Sequence, residues 1–295
     1  MSDSSWTLQG SEGLPIHGNT HLPGGPPRGV AVVVHGFTGH KDRNLVPAVT
    51  LDLADAGFIA HRCTLSHAGV ERDGDDITRL DEFERDSNAF CAADIRAVVE
   101  AIADGTIAGT GLPLVLVGHS RGGATVYRCA AEAEGFDIDG DATPWPMTPA
   151  AITSLAATAT FTRLSPEMVT ELDRKGYVER QCGRAPGGIV RLGRSWYAHH
   201  LDHPDRDVFA EAVAAVRCPC LVVHGNDDVS VTPDHADRIM AMLRQNPHAS
   251  ATDVRIDGAD HNFNSLGFGT DRENMRNPQI MELYRAMRAF LADVL

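Results

Sequence analysis

The stretch Leu112-Pro-Leu-Val-Leu-Val-Gly-His-Ser-Arg-Gly-Gly-Ala124 decides the fold. Its first half is a run of branched aliphatic residues, which has the length and composition of a strand buried on both faces. The run stops at Gly118-His-Ser-Arg-Gly122, and an amphipathic helical pattern begins directly afterwards. Ser120 is therefore predicted to lie at a sharp turn between a strand and a helix, with its Oγ above the edge of the sheet.

The residues around Ser120 suit the nucleophile of an acyl transfer. Gly118 and Gly122 leave room where a side chain would collide across so tight a turn, and His119 completes the turn between them. The following helix directs N–H groups with partial positive charge toward the serine. A serine in an ordinary turn is the alternative, but the flanking strand and helix favour the nucleophile.

Strand and helix patterns alternate along the rest of the chain. An edge hairpin is expected at 6–9 and 14–21. Buried strands are predicted at 29–34 and 114–117, and further strands at 58–65, 151–161, 218–225 and 252–256. The predicted helices are 45–56, 86–103, 122–134, 233–243 and 278–294. This rhythm predicts an α/β fold with a mostly parallel, doubly wound central sheet flanked by helices. In such a sheet, functional residues lie at the carboxyl ends of the strands.

Residues 162–207 interrupt the alternation. They are polar and contain Gly187-Gly188 and Trp196-Tyr197. We expect a single domain over 1–295, with a small cap-like insertion at about 162–207 beside the site.

Composition limits the function. The chain has 40 acidic and 26 basic side chains and a net charge of −14, which argues against nucleic acid or an anionic membrane as a partner. No apolar run approaches the length of a membrane span, and the N-terminus lacks the regions of a signal peptide, so a cytoplasmic location is expected. The six cysteines form no C-x-x-C pair, which favours reduced, packed thiols over disulfides or a zinc ribbon. A homodimer remains open.

Two later strand ends carry candidates for a base and an acid. The first is His224-Gly-Asn-Asp-Asp-Val-Ser-Val231 and the second is Gly258-Ala-Asp-His-Asn-Phe263. His261 is the predicted base, because it follows the last strand and completes the chain order serine, acid, histidine. The pattern H-G-x-x-D-x-x-V favours Asp228 over Asp227 as the acid that would orient this histidine. Asp227 is interpreted as a turn residue that hydrogen-bonds its own backbone.

Two backbone N–H groups are predicted to form an oxyanion hole. One belongs to Arg121, directly after Ser120, and the other to Phe37, at the end of the strand 29–34. His35-Gly36 would orient the backbone so that the Phe37 N–H faces the site. Such donors stabilise the negative charge of a tetrahedral intermediate.

Taken together, these motifs and His35-Gly-Phe-Thr-Gly-His-Lys-Asp42 resemble the α/β-hydrolase superfamily. The likeness is greatest to small bacterial carboxylesterases of the cinnamoyl/feruloyl esterase kind and to the hydrolase halves of OsmC-fused proteins, and it spans positions 6–294. It implies serine esterase chemistry on a small-molecule ester, through an acyl-enzyme on Ser120 and without a cofactor. An oligopeptidase or amidase of the same fold and a non-catalytic ligand-binding protein are the alternatives.

No metal site is expected. His199-His-Leu-Asp-His-Pro-Asp205 contains metal-ligating residue types but lacks the H-E-x-x-H spacing, and we expect it to be solvated. Asp73-Gly-Asp-Asp76 lacks the remainder of a calcium-binding loop and is interpreted as a solvated acidic segment.

Overall fold

A central eight-stranded sheet organises the molecule. The computed structural model describes residues 3–138, 140, 143–162, 164–265 and 276–295. Their strands are β1 (Asp3–Gln9), β2 (Pro15–His21), β3 (Gly29–Val34), β4 (Phe58–Thr64), β5 (Leu114–His119), β6 (Pro149–Leu155), β7 (Tyr177–Gln181), β8 (Ile189–Gly193), β9 (Cys220–Gly225) and β10 (Ala251–Ile256). The sheet has the order β1-β2-β4-β3-β5-β6-β9-β10, and β7 pairs with β8 separately. β1 and β2 are antiparallel to their neighbours, whereas the remaining six strands are mutually parallel.

Helices cover both faces of this sheet. The α-helices of the described residues, including those outside the two layers, are α1 (Leu45–Asp55), α2 (Leu80–Glu84), α3 (Asn88–Ala103), α4 (Arg121–Ala133), α5 (Pro166–Lys175), α6 (Ala198–Asp202), α7 (Val208–Ala215), α8 (Asp234–Gln245) and α9 (Pro278–Val294). One apolar cluster joins α1 and α9 to the sheet, and a second joins α3, α4, α7 and α8 to its other face. All six residues of β3 and of β5 are buried, as expected of strands covered on both sides. The α/β prediction is confirmed.

The strand predicted over 151–161 is shorter than expected. It ends at Leu155, because Ala156 adopts a φ of 47° and turns the chain out of the sheet. Beyond this turn, the hydroxyls of Thr158 and Thr160 donate to backbone carbonyl groups two residues further on. The threonines therefore form a compact turn at the carboxyl end of β6, in the region that lines the site.

The insertion has a small structure of its own. It contains α5, the antiparallel hairpin β7–β8 and α6. Ser165 caps α5 by accepting a hydrogen bond from the Met168 N–H, and Gly176 ends this helix with a φ of 84°. The buried residues of the insertion share an apolar cluster with the segment that follows β4, namely Val70, Ile77, Phe83, Leu172, Val178, Cys182, Ala185, Val190, Leu192, Trp196 and Tyr197. We call residues 164–202 the cap.

All six cysteines are buried and free, as their scattered positions predicted. Desolvation raises the pKa of the Cys63 thiol to about 12, and the nearby Asp94 acts in the same direction. Among the described residues, the helices are too short or too polar to cross a membrane.

Candidate active site

Ser120 lies at the turn between β5 and α4, where the sequence placed it. Its φ of 57° and ψ of −120° are strained for a residue with a side chain. The neighbouring glycines make this turn sterically feasible. A Cβ on Gly118 would lie 2.1 Å from the Gly122 carbonyl oxygen, and one on Gly122 would lie 2.5 Å from that of His35. Side chains at positions 118 and 122 would therefore not fit this turn without a shift of the backbone.

Three loops bring a serine, a histidine and an aspartate together. The Nε2 atom of His261 is 3.0 Å from Ser120 Oγ, and its Nδ1 atom is 2.7 Å from Asp228 Oδ2. The second carboxylate oxygen of Asp228 accepts the backbone N–H groups of Ser230 and Val231, at 2.8 and 2.9 Å. Asp228 is only 2% exposed, whereas Asp227 is exposed to solvent and carries no contact to the histidine ring. Of the two candidate acids, the structure brings Asp228 to His261.

The surroundings keep Asp228 ionised. Burial acts to raise the pKa of this carboxyl group, but hydrogen bonds from His224, His261 and the Val231 N–H outweigh it and lower the pKa well below its usual range. The His224 Nε2 atom lies 3.3 Å from Asp228 Oδ2 and also donates to the Val231 carbonyl oxygen, at 2.8 Å. A charged carboxylate at this place can stabilise an imidazolium that forms next to it.

His119 supports the histidine loop rather than the proton chain. Its Nε2–H donates to the backbone carbonyl oxygen of His261 at 2.8 Å, and the two rings lie 4.9 Å apart. Desolvation, aided by the neighbouring His261, lowers the pKa of His119 to about 3. The ring is therefore neutral near pH 7 and holds the main chain of the base in place.

The loop after β3 approaches the serine closely. A Cβ on Gly36 would lie 2.8 Å from Ser120 Cβ, so only glycine allows this approach, and Phe37 follows directly. The buried His35 fixes the loop, because its Nδ1–H donates to the Gly36 carbonyl oxygen at 2.9 Å and its Nε2 accepts the Leu65 N–H at 3.2 Å. Desolvation lowers the pKa of His35 to about 4, so this arrangement persists at neutral pH.

The N–H of Arg121 is the first in helix α4, where no carbonyl group of a preceding turn is available to it. Arg121 and Phe37 both line the cavity at Ser120. The helix N-terminus adds partial positive charge in the same region.

A cavity of about 510 Å³ opens above Ser120. The cap and the threonine turn after β6 supply much of its wall. Its apolar lining residues are Phe37, Val46, Phe161, Leu192, Trp196 and Val231, and its polar ones include Thr158, Thr160 and Thr162. A medium-sized molecule with a largely apolar body fits these dimensions.

Sequence reasoning found the polar centre of the site but missed the contacts around Arg121. Its guanidinium pairs with Asp86, Nη1 to Oδ2 at 2.6 Å, and lies 4.1 Å from the centre of the Trp196 ring. Trp196 in turn packs against Phe37 and Phe83, with ring centres 5.6 and 5.2 Å away. No local pattern predicts these pairs, because their members are far apart along the chain.

The two candidate metal segments have other partners. Asp75 pairs with Arg43 at 2.7 Å and with His40 at 2.9 Å, and it also contacts Arg184 of the cap. His199 is buried against Phe161, contrary to the expectation of a solvated segment, whereas Asp202 and Asp205 of the same segment are exposed. Over the described ranges, no cluster of three or more His, Cys, Asp or Glu side chains is arranged to hold a metal ion.

The comparison with known families settles where this chain belongs. The pattern of the family described as "Alpha/beta hydrolase family" matches residues 31–271. The chain belongs to the alpha/beta hydrolase family. This hydrolase is 28% identical over 248 residues to a monoacylglycerol lipase of Mycolicibacterium smegmatis. The match covers 76% of this chain and 79% of the lipase.

Solved structures share the fold of the hydrolase at lower identity. Est1E from Butyrivibrio proteoclasticus, in its ferulic acid-bound form, superposes with a TM-score of 0.68 and 17% identity, over 98% of both chains. The esterase domain of a Rhodothermus marinus protein superposes with a TM-score of 0.61 and 20% identity, over 98% of this chain and 99% of that one. Both likenesses concern the architecture.

Proposed function

We propose that this alpha/beta hydrolase cleaves carboxylic esters through an acyl-enzyme on Ser120. The observation that carries the proposal is the continuous chain of hydrogen bonds from Ser120 Oγ through His261 to the buried Asp228. A serine hydroxyl is a weak nucleophile alone, and an adjacent base held by a carboxylate is the arrangement that activates it.

The reaction proceeds in two halves. His261 Nε2 takes the proton of Ser120 Oγ as this oxygen attacks the ester carbonyl carbon. The backbone N–H groups of Phe37 and Arg121 bind the resulting oxyanion. Collapse breaks the bond to the alkoxide, which leaves with the proton from His261. Water then attacks the acyl carbon and gives a proton to His261. His261 returns this proton to Ser120 Oγ as the second tetrahedral intermediate collapses, which releases the acid and the free serine.

The substrate is a small or medium ester with an apolar body. The cavity volume and its aromatic and aliphatic wall support this size. Esters of glycerol and of hydroxycinnamic acids belong in the first substrate panel, because a curated relative is a monoacylglycerol lipase and Est1E binds ferulic acid.

A fluorophosphonate probe and 4-nitrophenyl acetate test the proposal. We expect covalent labelling and a burst of 4-nitrophenol in the wild type, and loss of both in Ser120→Ala. Ser250→Ala, at an exposed serine outside the cavity, serves as the matched control and should retain both. Labelling that survives in Ser120→Ala, or a wild type without labelling or burst, would overturn the mechanism. Turnover of a matched anilide faster than its ester would instead favour an amidase.

A further inference from the structure

The cavity above Ser120 is cationic, although the chain as a whole is acidic. Its lining contains Arg43, Arg121 and Arg180 and, in the described part of the chain, no aspartate or glutamate. The net charge of the chain is −14. A cavity that concentrates charge opposite to that of its protein attracts ligands of the complementary sign.

Two of the three arginines already have carboxylate partners. Arg121 pairs with Asp86 at 2.6 Å, and Arg43 pairs with Asp75 at 2.7 Å. Each of these two guanidinium groups therefore has a carboxylate in direct contact, although Arg43 shares Asp75 with Arg184.

Arg180 differs from the other two. Its Nη1 donates to the backbone carbonyl oxygen of Glu179 at 2.9 Å, and its Nη2 lies 3.0 Å from Met168 Sδ. Over the residues that the structure describes, no carboxylate lies within 4 Å of its guanidinium. The nearby carboxylates of Glu171 and Glu179 are held by Lys175, at 3.1 and 3.3 Å. The charge of Arg180 does act on the Glu171 carboxylate and helps to lower its pKa, but no carboxylate is in direct contact with the guanidinium over the described residues.

The position of Arg180 in the cap is also unusual. Side chains alternate between the two faces of the β7–β8 hairpin, and on the inner face its neighbours Val178, Val190 and Leu192 are buried and apolar. A charged side chain at an inward-facing position is costly unless something compensates it.

Tyr197 adds a polar group to the same wall. Its hydroxyl is buried and lacks a hydrogen-bond partner in the described part of the chain. Desolvation raises the pKa of this phenol to about 12, although the nearby Arg180 acts to lower it, so it stays protonated near pH 7. Its O–H is a spare donor near a guanidinium that has no carboxylate in direct contact over the described residues.

We infer that Arg180 binds a carboxylate of the substrate, at the end remote from the ester that Ser120 attacks. This inference rests on the proposed function and specifies its substrate class: esters that carry a free carboxylate, such as half-esters of dicarboxylic acids. One guanidinium matches one carboxylate in charge, and its planar N–H groups can bind both carboxylate oxygens. The apolar wall formed by Phe161, Leu192 and Trp196 accommodates the chain between the two ends.

Paired substrates test the inference in the full-length protein. Monoethyl adipate and ethyl hexanoate share the scissile ester bond, but only the adipate carries a carboxylate at the remote end. Recognition of the carboxylate is therefore measured by the kcat/KM of monoethyl adipate divided by that of ethyl hexanoate. We expect Arg180→Gln to lower this ratio about tenfold or more, the size of a lost charge-assisted hydrogen bond. Arg180→Lys, which keeps the charge, should recover part of it.

Arg191→Gln is the matched control, because Arg191 lies on the outer, exposed face of the same hairpin. Its ratio should equal that of the wild type. An unchanged ratio in a folded Arg180→Gln, checked by circular dichroism, would overturn the inference.

Binding provides a readout that does not depend on turnover. In a Ser120→Ala background, calorimetry should detect monoethyl adipate, and Arg180→Gln should weaken this binding about tenfold. Equal binding with and without Arg180 would refute the carboxylate site. If binding depends on Arg180 but the wild type hydrolyses neither ester, the proposed function fails while the site stands. If ethyl hexanoate is hydrolysed and Arg180 affects neither ratio nor binding, only the site fails.

Discussion

The guanidinium of Arg121 lies 4.1 Å from the centre of the Trp196 ring, so the residue after the candidate nucleophile is in direct contact with the cap. Asp86 holds this guanidinium from the other side. The Ser195 hydroxyl donates to the Asp86 carbonyl oxygen at 3.0 Å, and the Trp196 indole donates to that of Phe83 at 2.9 Å. The cap and the nucleophile turn thus share one set of contacts.

Asp86→Asn should destabilise the protein markedly. The side chains of Asp86 and Arg121 are only 7% and 13% exposed, so the substitution leaves a largely buried guanidinium without its counter-charge. We expect a loss of about 3 kcal/mol in the free energy of unfolding, measured by urea denaturation. Asp73→Asn, at a side chain 84% exposed, is the control and should leave stability unchanged. Equal stability of Asp86→Asn and the wild type would contradict a structural role of the pair.

Asp228→Asn should abolish most of the esterase activity, whereas Asp227→Asn should retain it. Only Asp228 contacts His261, and an asparagine there would favour the wrong tautomer of the ring. We expect a fall in kcat of about ten thousand-fold for Asp228→Asn. Steady-state kinetics on 4-nitrophenyl acetate measure both variants. A larger effect at Asp227 would show that the other carboxylate orients the histidine.

Gly36→Ala should block the site while the fold survives. The added methyl group would lie 2.8 Å from Ser120 Cβ and 3.1 Å from the His119 carbonyl oxygen, so the loop that carries Phe37 must move away. Loss of one oxyanion donor typically lowers kcat about a hundred-fold or more. Gly24→Ala, where no atom lies within 4 Å of the added Cβ, is the control. Normal kinetics in Gly36→Ala would argue against an oxyanion donor on this loop.

Stability should decrease as the pH falls from about 6.5 to about 4. Desolvation lowers the pKa of His35 and His61 to about 4, and that of His119 to about 3, from an ordinary value of 6.5. Within this window these histidines are protonated in the unfolded chain but not in the folded one. Each of them therefore lowers the free energy of unfolding by up to about 1.4 kcal/mol for every pH unit toward acid. Stability is complete above pH 6.5 and is lost toward acid.

His61→Gln isolates one of these contributions, because His61 lies in the sheet, between Thr20 and the Ala108 carbonyl oxygen. Urea denaturation at several pH values should give a shallower slope for the variant than for the wild type. Parallel slopes would mean that His61 does not contribute.

The sequence was sufficient for the parts of the site that depend on local geometry. Ser120, Asp228 and His261 follow strand ends with characteristic glycines, and each constraint acts within a few residues. The end of β6 was misplaced, because the turn at Ala156 has no glycine or proline to signal it. Apolar patterning continues to Phe161, which is buried in the wall of the cavity instead of in a strand.

The cap was the part least accessible to sequence reasoning. Its helices and strands are short, and its core is completed by Val70, Ile77 and Phe83 from a distant segment. The inward position of Arg180 becomes visible only when the register of β7 and β8 is known. Contacts between segments far apart in sequence depend on how the segments pack, and the local hydrophobic and turn patterns of one sequence do not show this packing.

The six buried thiols can be used to follow local and global unfolding of this protein. A buried cysteine reacts with an alkylating reagent only after local or global unfolding exposes it. Cys182 belongs to the cap, whereas Cys63 and Cys129 belong to the body around the sheet. The order in which mass spectrometry finds these thiols alkylated would therefore reveal whether the cap detaches before the body unfolds.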